Sequence, residues 1–179
     1  MTSYVALLRG INVGGHKKVP MAALRELLTG LGHGAVRTHL QSGNAVFTSA
    51  EQDPAVLVDG LERAIEDRFG FEVRCIVLSA AELRAAAGRN PFPPSSFEPS
   101  KLAVLFLSSP PDLGRLGTID EGKYRPDEFR PGEREIFVHC PGGLGTSKLM
   151  PVLGKATGDA VATARNWNTV VKLLAMSEG

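Results

Sequence analysis

No apolar run in this sequence approaches the roughly 20 residues that a helix needs to cross a bilayer. Arg9 interrupts the apolar start, so the N-terminus lacks the long apolar stretch of a secretory signal. An excess of one charge is missing too: 20 basic side chains stand against 19 acidic ones, a formal +1. A protein that grips long nucleic acid indiscriminately needs a basic face, and this balance argues against one while leaving room for a local positive pocket. Aromatic residues are only 6% of the chain. A base-stacking surface of the RNA-recognition kind needs several of them on its strands, and here the relevant strands offer only Tyr4 and Phe47. Cysteine is nearly absent. Cys75 and Cys140 are far apart, without metal-ligand spacing, and each ends or interrupts an apolar strand-like run. That is the setting of a buried reduced thiol rather than of a disulfide or a nucleophile. These absences predict a cytoplasmic protein with no membrane segment.

What is present is an ordinary globular composition, 43% apolar over 179 residues, enough for one medium domain or two small ones. Tyr4 to Leu8 reads as a short buried strand. Leu24, Leu27, Leu28 and Leu31 recur at helical spacing, with Pro20 at the entry and Gly32 at the exit. Val36 to Leu40 alternates, and "QSGNAVF" supplies a turn and a second strand, Ala45 to Ser49. Asp53-Pro54 opens a helix with Leu57, Leu61 and Ile65 on one face; Glu72 to Leu78 is a further strand; Ser79 and Glu82 form a capping-box pattern. The order β-α-β-β-α-β is the split βαβ arrangement of a ferredoxin-like, or alpha-beta plait, lobe.

"RNPFPPSSFEPSK" then reads as a stiff connector, because its prolines restrict the chain and lack amide donors. The plan repeats more loosely beyond it. Leu102 to Leu107 is a strand, Pro111 to Leu116 a short helix at best, and Asp127 to Arg130 with Glu135 to Cys140 bracket "PGER" as a hairpin. "TSKLMPVLGKA" is helical, Ala160 to Ala164 a brief strand, and Asn166 to Met176 an extra terminal helix with Trp167, Val170, Val171 and Leu174 inward. The chain is therefore expected to be α+β: two tandem ferredoxin-like lobes, 1–89 and 101–179, joined by 90–100.

In such a lobe the first two strands run parallel with the third between them. The end of strand one and the hairpin turn then share an edge, gathering Arg9, Asn12, Lys17 and Lys18 with Gln41, Ser42 and Asn44. Neither segment holds a carboxylate, and the first helix points its free amides there, so the edge should favour an anion. A second edge gathers Ser147 and Lys148 with Arg165, Asn166 and Asn168, although "RNWN" also has the form of a helix cap. The structural alternative is plain. Gly43 and Asn44 tolerate positive φ and suit a turn, and the lysines suit a solvated surface.

Familiar chemistries fail in detail. Gly10 and Gly15 have Walker spacing, but His16 stands where the lysine belongs, and the dinucleotide pattern is absent. His16, His33, His39 and His139 are scattered, so no metal site is expected. Ser42 has no recognisable base. No catalytic residue and no cofactor can be named.

"ALLRGINVGG", "KVPMAALR", "LQSGNAVF", "SKL" and "TARNWNTVVKLL" strongly resemble, in that order, the bacterial family called domain of unknown function 1697. The resemblance runs from the first strand to the last helix. It implies tandem ferredoxin-like lobes and carries no activity or catalytic residues to transfer, but its motif words fall on the two edges. The expected function is binding of a small anionic metabolite or nucleotide near or between the lobes, with Arg9 and Lys17 supplying charge and Asn12, Gln41 and Asn44 orienting the ligand. A nucleic-acid accessory contacting phosphates and a protein-protein interaction module are the alternatives.

Overall fold

The computed structural model describes residues 1–179. The fold is α+β, with eight strands in two four-stranded antiparallel sheets and six α-helices. The chain divides into two compact units: Met1–Arg84 with Leu173–Gly179, and Ala85–Lys172.

In the first unit, β1 (Thr2–Leu8), β2 (Gly34–His39), β3 (Asn44–Ser49) and β4 (Cys75–Ser79) lie in the order β2-β3-β1-β4. Each neighbouring pair is antiparallel. The exit of β1, the β2–β3 turn and the entry of β4 consequently share one end of the sheet. Leu8 donates its amide to the Gly43 carbonyl at 2.9 Å, and Arg9 donates to the Arg74 carbonyl at 3.0 Å.

Helices α1 (Met21–Gly30) and α2 (Pro54–Phe69) cover one face of that sheet. Tyr4, Ala6, Leu8 and Phe47 meet Leu24, Leu28, Leu57, Leu61 and Ile65 in one core. Helix α2 follows its sequence signals closely: Asp53 accepts from the Ala55 amide, Pro54 opens the first turn, and Gly70 closes the helix at φ 78°. Leu31 differs from expectation. It lies just beyond α1 and is 40% exposed, because the helix stops one residue before the fourth apolar position is reached. Val5, Leu7, Val46, Ile76 and Leu78, on the other face, are buried as well, which is why these strands read as continuous apolar runs.

Helix α3 (Ala80–Gly88) opens with the reciprocal cap its sequence implied: the Ser79 amide donates to Glu82 at 2.8 Å, and the Glu82 amide to the Ser79 hydroxyl at 3.1 Å. Two short 3-10 turns, Pro94–Ser96 and Pro99–Lys101, carry the proline-rich span. The second sheet has the order β6-β7-β5-β8, built from β5 (Leu102–Leu107), β6 (Glu128–Pro131), β7 (Glu135–His139) and β8 (Ala162–Asn166). Its first crossover holds only the one-turn helix α4 (Leu113–Leu116) and a 3-10 turn, Glu121–Tyr124. Its second crossover holds α5 (Leu149–Ala156), whose Leu149 and Leu153 enter a core with Leu105, Ile136 and Val138.

The terminal helix α6 (Trp167–Glu178) keeps three of the four expected inward residues, with Val170 buried and Trp167 and Leu174 half-buried, and loses Val171. Thr169, Val170, Leu173 and Ser177 are buried, whereas Val171 is 50% exposed. The buried stripe includes two hydroxyl residues, and a pattern of apolar side chains could not show them. Ser177 satisfies its hydroxyl within the helix, on the Leu174 carbonyl at 3.0 Å, so a hydroxyl there carries little desolvation penalty.

Candidate functional site

The segment after β1 forms a small finger. Asn12 donates its amide to the Lys17 carbonyl at 3.1 Å and His16 donates to Val13 at 3.0 Å, with Val13 and His16 bridged in antiparallel fashion. Gly14 and Gly15 form the tip with φ of 58° and 77°, the sign that a two-residue primed hairpin turn requires at both positions. "NVGGHK" is thus a miniature hairpin, and its paired glycines are turn formers rather than part of a phosphate loop.

Asn12 ties this finger to the β2–β3 turn. Its side-chain nitrogen donates to the Val19 carbonyl at 2.9 Å and to the Gln41 carbonyl at 2.7 Å. Its side-chain oxygen accepts from the Val19 amide at 2.9 Å. Asn12 also adopts φ 55°, a left-handed conformation that asparagine tolerates better than most residues. Asn44 works in the same way inside the turn. It is fully buried and donates to the His39 carbonyl at 2.7 Å and the Ser42 hydroxyl at 3.1 Å. Both amides hold backbone in place.

The charged groups behave differently. Arg9, Lys17 and Lys18 are all exposed. Lys17 donates its ammonium to the Glu72 carbonyl at 2.7 Å, and neither Arg9, Lys17 nor Lys18 pairs with a carboxylate. Gln41 and Ser42 are exposed beside them. The entry of β4 brings residues that the sequence reading left out of this edge. Arg74 lies here, but Glu62 of α2 holds it at 3.2 Å and also accepts the Cys75 amide at 2.8 Å. One guanidinium is therefore neutralised, and the positive potential centres on Arg9, Lys17 and Lys18. Helix α1 starts just after, with Pro20 before it, no side-chain cap and no acid in its first turn; its dipole adds to the same sign.

The family model for "Protein of unknown function (DUF1697)" matches residues 1–137. The chain belongs to the DUF1697 family. Its structure is similar to that of the conserved bacterial protein SP0830 from Streptococcus pneumoniae, with a TM-score of 0.77 and 28% identity over 98% of each chain. No curated protein matches.

In this DUF1697 chain the second edge consists largely of residues with structural work. Asn166 accepts the Thr169 amide at 3.0 Å and caps α6. Ser147 donates to Asp127 at 2.8 Å and accepts from the Leu149 and Met150 amides, capping α5. Arg165 is 7% exposed and donates to the Thr163 hydroxyl at 2.8 Å and the Ala164 carbonyl at 2.9 Å. Burial pulls its guanidinium down to about 10, so it stays charged at neutral pH. Lys148 and Asn168 are exposed at the starts of α5 and α6.

Neither thiol is poised for chemistry. Burial pushes Cys75 strongly upward, with Glu62 adding to it. Cys140 is raised by burial too, with a Ser147 hydrogen bond acting against it, so both stay protonated. No group of three or more His, Cys, Asp or Glu side chains is placed to hold a metal, and no helix is long and apolar enough to cross a membrane. A charged cleft of about 440 Å³ opens beside β6, lined by Arg125, Asp127, Glu128 and Arg130. Arg130 is already occupied there, by Glu121 at 3.4 Å, Glu128 at 3.2 Å and the Phe129 carbonyl at 2.6 Å.

Proposed function

We propose that this DUF1697 protein binds a small anionic ligand, phosphorylated or nucleotide-like, at the edge of its first unit formed by Arg9–Lys18 and Gln41–Asn44. Arg9 and Lys18 contact the anion, Lys17 strengthens the local field, Gln41 and Ser42 offer polar contacts, and Asn12 and Asn44 keep the two loops in register. The observation that carries this reading is the exposure of Arg9 and Lys18 without a carboxylate partner, beside a turn that Asn12 locks to them. We read each unit as a ferredoxin-like lobe. The strand orders β2-β3-β1-β4 and β6-β7-β5-β8 support this, as does the way that topology joins strand-one exit to hairpin turn. Lys148 and Asn168 are read as exposed polar groups of the second edge, and Arg165 as a buried charge belonging to it.

The arrangement supports binding more than turnover. A fixed guanidinium can stabilise developing negative charge, but no side chain at the edge is set up as a nucleophile with a base. Exposed charge pairs contribute about 0–1 kcal/mol each, whereas a millimolar ligand needs about 4 kcal/mol. The cations therefore select the sign of the ligand, and further contacts supply affinity.

A thermal-shift and calorimetric screen of phosphates, sugar phosphates and nucleotides tests the reading. Arg9→Ala should weaken binding of every phosphorylated hit while moving the melting temperature of the free protein little, since an exposed, unpaired side chain affects stability within about 0.5 kcal/mol. A hit that Arg9→Ala and Lys18→Ala both leave untouched places the ligand elsewhere.

A further inference from the structure

Two apolar side chains stand at the proposed edge without a core to enter. Val13 is 65% exposed on the finger and Leu40 is 55% exposed on the β2–β3 turn. They flank the Asn12–Gln41 tether, each one residue away from a 2.7 Å hydrogen bond, so they stand on two loops that this bond holds together. Leu40 sits at φ 61°, a conformation that suits glycine or asparagine. A leucine there contributes neither turn chemistry nor burial. One exposed apolar residue is ordinary. Two of them beside unpaired cations on a tethered pair of loops set apolar contact next to positive charge, the pairing that a phosphate-bearing ligand with an apolar face would use.

We propose that the ligand of this edge is a nucleoside monophosphate, with its phosphate on Arg9 and Lys18 and its base against Val13 and Leu40. The proposal rests on the anion-site reading above and sharpens it. A nucleobase has two flat faces that aliphatic side chains can cover, and a polar rim that suits Gln41 and Ser42, both exposed in the turn next to Leu40. A sugar phosphate carries the same charge but has no apolar face. Screened surface charge alone is weak, so the base is what separates a specific ligand from any passing phosphate.

Calorimetric titration of the full chain with inorganic phosphate, ribose 5-phosphate and the four ribonucleoside 5′-monophosphates tests this. At least one nucleotide is expected to bind roughly tenfold or more tightly than ribose 5-phosphate, the factor that modest apolar burial supplies. The double variant Val13→Ser/Leu40→Ser should bring the two to about the same affinity. Arg9→Ala should weaken both by a similar factor. Equal affinity for ribose 5-phosphate and every nucleotide, or a double variant that binds nucleotide as well as the parent, overturns the proposal while the anion site stands. Binding that Arg9→Ala does not change, or no binding by any of the six probes, removes the anion site and this proposal together.

Discussion

Asn12 and Gln41 are joined by a 2.7 Å hydrogen bond from the side-chain amide of one to the backbone carbonyl of the other. That bond ties the finger after β1 to the β2–β3 turn. Two further bonds to Val19, both 2.9 Å, engage the amide nitrogen again and the carbonyl oxygen of the Asn12 side chain. Asn12→Ala should lose about 2 kcal/mol of stability, since each net hydrogen bond of this kind is worth about 1 kcal/mol and a half-buried site keeps some water. Alanine at φ 55° adds strain, so Asn12→Gly should be milder by about 1 kcal/mol. Urea denaturation of both variants measures the difference; equal losses would show that the left-handed backbone carries no penalty here.

Gly43 and Gly10 separate packing from backbone strain. A Cβ on Gly43 would lie 2.7 Å from Ile11 Cδ1 and 2.8 Å from Leu8 Cβ, at φ 92°, whereas one on Gly10, at φ 68°, meets nothing within 4 Å. Gly10→Ala should cost about 1 kcal/mol from conformation alone. Gly43→Ala should cost about 3 kcal/mol, because Leu8 Cβ belongs to a strand and cannot rotate aside. Chemical denaturation midpoints with unchanged slopes check both.

In the second unit, Glu135 is 2% exposed and meets Arg89 at 2.5 Å and 3.2 Å through two guanidinium nitrogens. That hydrogen bond is the largest influence raising the Arg89 guanidinium, and burial opposes it. Arg89 is more accessible than its partner and also approaches Glu133 at 3.5 Å. Removing the two partners should therefore be unequal. Arg89→Ala leaves a buried carboxylate with only the Arg134 amide, at 2.8 Å, and should lose about 3 kcal/mol. Glu135→Gln, which keeps an acceptor and leaves Arg89 a route to solvent, should lose less. Reversal of that order in thermal unfolding would mean the carboxylate finds water on its own.

His33 gives stability a pH dependence. Its ring packs against Phe47 at a centroid distance of 4.7 Å, and desolvation lowers its pKa below the ordinary 6.5. The unfolded chain thus takes up the proton first as pH falls. The contribution is complete above about 6.5 and is lost as pH drops through that value toward the lower folded one. Denaturation midpoints from about pH 8 down to about pH 5 should fall for the parent chain. In His33→Asn the drop over the same range should be smaller.

Much of this protein is legible because its local signals agree with its fold. Leu57, Leu61 and Ile65 predict the buried stripe of α2, and Asp53-Pro54 marks its start. Ser79 and Glu82 predict a cap that forms as a reciprocal pair. The order of elements predicts that Arg9 and the "QSGN" turn share one end of a sheet, and Leu8 meets Gly43 there. The α6 face departs from its apolar pattern at Val171, which is exposed, while Thr169 and Ser177 are buried. Apolar periodicity finds a helix reliably, but it locates the inward side only when that side is apolar.

Periodicity, turn chemistry and the limited ways a β-α-β-β-α-β chain can close are enough to define the elements, their order and the set of polar residues available at one edge. The roles within that set were decided in three dimensions. Asn12 and Asn44 became backbone struts, Arg74 was taken by Glu62, and Arg9 and Lys18 were left unpaired. Which amide is consumed and which charge is compensated depends on neighbours from 5 to 29 residues away, and hydrogen bonding and charge pairing are properties of distance, not of order along the chain.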